Sequence, residues 1–220
     1  MVVNDGSGEI HMWLTPGLTP CYIVRVMHLK RKSFRCLPLV LLLVAVASVS
    51  QTRAPVPQPP ATILIIRHAE KLTDGRIDLS PTGFERAKLL PNLFLPAGAR
   101  PDLPTPQIIF ATHLSAHSNR PVQTVTPLAA ALHVPIDDSI SNDDYPKLAE
   151  TLLSGKYAGK VVLVVWHHGK IPELTRALGA KPPYNPWPDQ QYDRIWRIDY
   201  KGGKATLQDL PYKIMPGDSN

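Results

Sequence analysis

Apolar positions along the chain follow two different periods. Unbroken apolar runs at residues 62–67 (TILIIR), 107–112 (QIIFAT) and 160–166 (KVVLVVW) predict strands buried on both faces. Between them the apolar residues recur at helical spacing. Residues 80–90 start with Ser80 as N-cap and Pro81 at the first helical position, and Phe84, Ala87 and Leu90 follow on one face. Residues 120–134 repeat the pattern, with Pro121 opening a helix whose Val122, Val125, Ala129 and Leu132 share a face. Residues 145–153 predict a third helix, and residues 171–180 a fourth that Gly179 ends. Residues 192–200 and 204–210 predict a closing strand pair joined at Gly202 and Gly203. Strands separated by helices predict a three-layer α/β/α sandwich with a mainly parallel central sheet. No internal repeat interrupts it.

The first 60 residues do not share this pattern. Lys30, Arg31, Lys32 and Arg35 precede an apolar run from residue 36 to about residue 46, and Ala45 and Ala47 form an A-x-A-like cleavage site. That is the anatomy of a secretory signal; the alternative is an uncleaved single-pass anchor, for which the run is short. The 26 residues before Met27 fit neither role, so Met27 is the expected start. Residues 54–60 (APVPQPP) form a stiff proline-rich spacer. The expected organisation is therefore a leader and linker over residues 1–60 and one catalytic domain over residues 61–220. The expected location is outside the cell or in the periplasm, or at a membrane held by the N-terminal segment.

Setting the leader aside changes the charge balance. The chain carries 24 Lys and Arg against 18 Asp and Glu, a formal +6, and residues 1–50 hold five of the former and two of the latter. The remaining 19 basic and 16 acidic residues include no basic tract or aromatic-interleaved patch of the kind that binds nucleic acid. Both cysteines, Cys21 and Cys36, lie in the leader, so the domain is expected to use no disulfide and no thiol chemistry. About 160 residues remain, enough for one domain with a proper core.

In sheets of this class the ligand site lies at the carboxyl ends of the parallel strands. The first strand ends in Arg67-His68, the second leads through THLSAHSN to Arg120, and the third ends in Trp166-His167-His168. Arg120 also stands at a helix entry, where free backbone N–H groups favour an anion. Two arginines, two or more histidines and a helix N-terminus on one crevice describe a phosphate site.

These segments resemble the signatures of the histidine phosphatase superfamily, the phosphoglycerate mutase-like fold. LIIRHAEK resembles the nucleophile motif of its small phosphatases. LSPTGFERA resembles the helix entry L-[ST]-x-x-G-x-x-x-A, SNRPVQTVTPLAAAL the second-arginine segment, and VVLVVWHHGKIPEL the second-histidine segment. The four motifs occur in the family's order across residues 61–180. The resemblance implies a phosphohistidine intermediate on His68, with Arg67 and Arg120 gripping the phosphoryl group, His167 as second histidine, and neither metal nor cofactor. His167 is preferred to His168 because the family's histidine lies four residues before the apolar helix start, here Ile171. The implied substrate is a phosphomonoester or a phosphohistidine-type group, carried by a small molecule or a phosphoprotein. Only 46 residues separate Arg120 from His167, which leaves little room for the substrate-gripping segment of a mutase. The alternative from another class is a non-catalytic phosphate- or partner-binding member of the same fold.

The physical chemistry fits this reading. Attack on phosphorus needs a neutral imidazole nitrogen, and two guanidinium neighbours disfavour imidazolium. The same arginines can hold phosphoryl oxygens bidentately, so positioning and charge stabilisation are supplied without a metal.

The remaining polar residues keep more than one role. The family's general acid lies between the second arginine and second histidine, where Asp143 and Asp144 are the available carboxylates; both could instead cap the following helix. Glu70 can reach the pocket or pair with a basic neighbour such as Lys71 or an arginine. His117 and Ser118 are expected to line the pocket. His168 is expected either to contact substrate or to pack under Trp166. His113 and His117 have the spacing of helical metal ligands, but THLSAHSN reads as no helix and lacks the H-E-x-x-H glutamate, so no metal site is expected. His113 is expected to be structural, and His133 to lie at the surface. Tyr184, Trp187, Tyr192 and Trp196 are expected to cover the sheet edge, or else to offer a surface to an organic group.

Overall fold

The computed structural model describes residues 2–4, 10–12, 56–95 and 100–219. The chain divides into two units, residues 1–51 and 52–220. In the first, strand β1 (Val2–Asn4) pairs antiparallel with β2 (Ile10–Met12). The expected signal, its cleavage site, Met27 and both cysteines lie outside the described residues. No helix among the described residues is long and apolar enough to cross a membrane.

The second unit is built around β3 (Thr62–Arg67), every residue of which is buried. Such a strand needs apolar cover on both faces, and its side chains divide accordingly. Ile63 and Ile65 enter one core with Leu148 and Leu152 of α3 (Tyr145–Leu153) and Leu174 of α4 (Ile171–Ala177). Leu64 and Ile66 enter the other with Val125 and Leu128 of α2 (Arg120–Leu132). Leu90 and Leu93, on the 3-10 turn that continues α1 (Pro81–Leu89), complete that second core. The three-layer sandwich expected from the apolar pattern is the one observed.

Strand order is β5-β4-β6-β3-β7-β8. The four strands β5 (Ile136–Ile140), β4 (Ile108–Thr112), β6 (Val161–Trp166) and β3 run parallel, while β7 (Arg194–Lys201) and β8 (Lys204–Pro211) are antiparallel additions. The sheet is mixed, and three of its five pairings are parallel. The β7–β8 turn falls at Gly202 and Gly203, whose φ of 57° and 77° suit residues without a side chain.

One strand has no counterpart in the sequence reading. Strand β5 reads Ile-Asp-Asp-Ser-Ile and pairs only with β4, at the sheet edge. Asp and Ser are poor strand formers, and a half-exposed edge strand needs no apolar run. Tertiary pairing, not local propensity, puts it there.

Helix α1 starts as its sequence predicts: Ser80 accepts a hydrogen bond from the Gly83 N–H (3.1 Å). Gly83 itself allows a close approach. A Cβ at this position would sit 2.3 Å from the carbonyl oxygen of Glu70. The same carbonyl accepts from Ser80 N–H (2.9 Å), so α1 begins against the loop that follows β3.

Candidate active site

The register of the central strands places the key side chains. Arg67 and Trp166 are partners on the last rung of the parallel β3–β6 pair, and His68 N–H donates to the Trp166 carbonyl (3.2 Å). The next residue on each chain is a histidine. Their rings meet edge to face with centroids 5.3 Å apart.

His68 is buried, and its Nδ1 lies 2.7 Å from the Ala69 carbonyl oxygen. A carbonyl only accepts, so this contact assigns the proton to Nδ1 and leaves the Nε2 lone pair free. Burial pushes the pKa of His68 well below its usual value; the Ala69 hydrogen bond opposes this, and His167, Arg67 and Arg120 add to it. Burial likewise lowers His167, to about 4, with Arg120, His168 and Arg67 acting in the same direction and Asp143 against. Both imidazoles are neutral at pH 7.

The two arginines approach from different elements. Arg67 is 1% exposed. Its Nη1 faces the carbonyls of Asp189 (2.7 Å), Pro188 (3.2 Å) and Gln191 (3.2 Å), and its Nη2 donates to the Tyr192 hydroxyl (3.3 Å). Arg120 opens α2, and its Nη1 donates to the Arg76 carbonyl (3.1 Å) and its Nη2 to that of His117 (3.4 Å). The Nε atoms of both arginines are buried and have no partner among the described residues. A buried guanidinium N–H that no protein oxygen meets is costly unless something anionic answers it.

A hydroxyl ties the loop after β3 to Arg120. Ala69 N–H donates to Thr124 Oγ1 (2.8 Å), and that hydroxyl donates in turn to the Arg120 carbonyl (2.7 Å).

The structure separates the two carboxylates left open by the sequence. Asp143 lies close enough to His167 to raise its pKa, and it pairs with Lys170 Nζ at 3.2 Å. Asp144 accepts from the Ser141 hydroxyl (2.7 Å); it occupies the N-cap position of α3 but makes no side-chain capping bond. Glu70 is taken up in an ion pair, although its charge is still felt at Arg67. Arg86 grips both its oxygens (2.8–3.1 Å) and reaches Asp218 with its other side (2.9 and 3.1 Å).

Ser118 is buried at the mouth of α2, with its Oγ 3.4 Å from Arg120 N–H. His117 is exposed and contributes its carbonyl to Arg120. His113 is also exposed, with its Nδ1 on the Asp138 carbonyl (2.8 Å). Among the described residues no three His, Cys, Asp or Glu stand close enough together to hold a metal ion. His168 donates from Nε2 to Asp189 (2.9 Å), so it faces residues 188–192. A cleft of about 370 Å³ lined by Leu72, Arg76, Asp78 and Phe84, among others, includes none of Arg67, His68, Arg120 and His167. It adjoins Arg120 at the Arg76 carbonyl, which accepts from Arg120 Nη1.

The four aromatics grouped in the sequence reading part company here. Trp187 and Trp196 are buried in the α3–α4 core with Tyr184 packed against them. Tyr192 instead lies over Arg67, with its ring 4.0 Å from the guanidinium carbon and 6.2 Å from the His68 ring. Neither Asp189 nor the carbonyls of residues 188–191 carried a sequence signal, because main-chain acceptors look alike in any sequence.

No family model matches the chain, and no curated protein does. Solved structures match it. Its structural neighbours are members of the histidine phosphatase superfamily. The protein histidine phosphatase SixA complexed with tungstate is 17% identical over 69% of this chain and 97% of its own, with a TM-score of 0.49. Phosphoserine phosphatase from Entamoeba histolytica, in complex with 3-phosphoglyceric acid, is 16% identical over 68% and 96%, at 0.47. The alpha-ribazole phosphatase from Shigella flexneri is 15% identical over 72% and 100%, at 0.43. The six-stranded mixed sheet and four helices are consistent with the phosphoglycerate mutase-like class expected from the sequence. At such identities, what the site can do in this chain must come from its own side chains.

Proposed function

We propose that this chain is a phosphatase that hydrolyses a phosphomonoester or a phosphohistidine-type substrate through a covalent phosphohistidine on His68, without a metal. The observation that carries the reading is one of valence. Arg67, which is buried, and Arg120, which is half-buried, each keep a buried Nε–H that no atom of the described residues meets, beside a histidine whose free lone pair is on Nε2. A phosphoryl group answers both donors and presents phosphorus to the nucleophile.

The steps follow from that placement. His68 Nε2 attacks phosphorus in line; the N–P bond forms as the bond to the leaving oxygen breaks. Arg67 and Arg120 hold the equatorial oxygens and offset their charge in the transition state. His167, neutral and adjacent, donates a hydrogen bond to the same group. The leaving alkoxide takes a proton from solvent, relayed through Asp143, which is the better placed of the two carboxylates because its charge is felt at His167. Water then attacks phosphorus, gives a proton back through Asp143, and releases inorganic phosphate and free His68.

The test is turnover of p-nitrophenyl phosphate in EDTA by the wild type and by His68→Ala. EDTA-resistant hydrolysis that the substitution abolishes is the expected result. Binding of phosphate without turnover of phosphomonoesters or phosphoramidates would instead favour a non-catalytic binding protein.

A further inference from the structure

Residues 188–192 form a strap across Arg67, and we infer that Tyr192, at its end, is a further phosphoryl-contacting residue of the site. The inference rests on the phosphatase reading above.

A guanidinium has five N–H donors. In Arg67 the strap faces Nη1 with three main-chain carbonyls, and Nη2 gives one hydrogen to the Tyr192 hydroxyl. This leaves Nε–H and the second Nη2–H. The strap therefore fixes the plane of the guanidinium and leaves donors over for an anion. A free arginine would have to lose rotamer freedom on binding; this one is already ordered by carbonyls that cannot compete as anions.

Tyr192 is more than part of the clamp. Its hydroxyl accepts from Arg67, so its own proton remains available to donate. Its ring lies 6.2 Å from that of His68, and its hydroxyl lies 3.3 Å from Arg67 Nη2. A hydroxyl bonded to Arg67, on a ring beside His68, borders the space that a phosphoryl oxygen held by Arg67 would take. The hydroxyl can donate to that oxygen while keeping its bond from Arg67.

The test uses the full chain and a substitution that keeps the ring. In Tyr192→Phe the stacking on Arg67 persists and only the hydroxyl is lost. Binding of tungstate and inorganic phosphate is measured by titration calorimetry, and p-nitrophenyl phosphate kinetics alongside. The expected result is a loss of about 10- to 100-fold in anion affinity, the worth of one hydrogen bond to a charged group, with an unchanged melting temperature. Gln190→Ala, on the exposed part of the same strap, is expected to bind like the wild type. Equal affinity in wild type and Tyr192→Phe would overturn the inference and leave Tyr192 as packing on Arg67, with the phosphatase reading intact. A wild type that binds neither anion would bring down the phosphatase reading itself, and this inference with it.

Discussion

The rings of His68 and His167 meet edge to face because their neighbours Arg67 and Trp166 are partners on the last rung of two adjacent parallel strands. The pairing is a consequence of register. A one-residue slip would send one imidazole to the opposite face of the sheet. The two histidines are not equivalent, since only His68 has its tautomer set by a main-chain carbonyl.

That difference predicts different kinetic phenotypes. His68→Ala is expected to abolish turnover, because no other group replaces the nucleophile. His167→Ala is expected to retain residual activity, with kcat reduced about 100- to 1,000-fold, the usual cost of one transition-state donor. Steady-state kinetics of both variants check this; equal and total loss in both would argue against the assignment of roles.

The lowered histidine pKa values predict a pH dependence. His167 falls from its ordinary 6.5 to about 4 on folding. Between those values the unfolded chain binds more protons than the folded one, so stability rises with pH across this window and is flat above it. The full shift corresponds to at most about 3 kcal/mol. Urea unfolding at pH 7.5 and pH 4.5 is expected to show the loss, and His167→Gln is expected to lessen it. By the same sign, turnover corrected for substrate ionisation is expected to show no acid limb near 6.5 from His68.

Gly83 predicts a steric effect with a functional consequence. A methyl group there meets main-chain atoms of Glu70 at 2.3–3.1 Å, and main chain cannot swing aside like a side chain. Gly83→Ala is expected to cost about 1–3 kcal/mol, as overpacking does. It is also expected to lower activity, because the displaced loop carries His68. Thermal melts and p-nitrophenyl phosphate assays read the two effects.

Arg86 predicts a larger loss of stability. It is buried between Glu70 and Asp218, and although burial alone would lower its pKa, these carboxylates raise it above its ordinary value. Arg86→Met would leave both carboxylates buried without their partner, at a cost of about 3–5 kcal/mol. Denaturant unfolding checks it. The double variant Arg86→Met with Glu70→Gln is expected to recover part of the loss.

The layers of the fold were legible wherever burial is two-sided. Ile63 to Ile66 and Val162 to Val165 read as core strands because both faces are covered, and apolar residues at every position leave a clear trace. Strand β5 left none, since its aspartates and serine face water at an edge. The candidate site was legible as residue types at strand ends, and Arg67, His68, Arg120 and His167 do gather there. Its strap was not. The Arg67 contacts with Pro188, Asp189 and Gln191 use main-chain oxygens, and Tyr192 was indistinguishable from three aromatics that belong to the core. The use of Glu70 was open in the sequence because its partner Arg86 lies on the next element, and only the close approach at Gly83 brings the two together.

The most direct test of the central claim is to trap the intermediate. Wild-type protein is mixed with p-nitrophenyl phosphate in EDTA, quenched in alkali within milliseconds to seconds, and the covalent phosphoryl group is mapped by peptide mass spectrometry. Base-stable, acid-labile phosphate on His68, formed and lost at rates that support turnover, is the predicted result. Turnover with no phosphorylated histidine, or with the phosphoryl group on another residue, would contradict it.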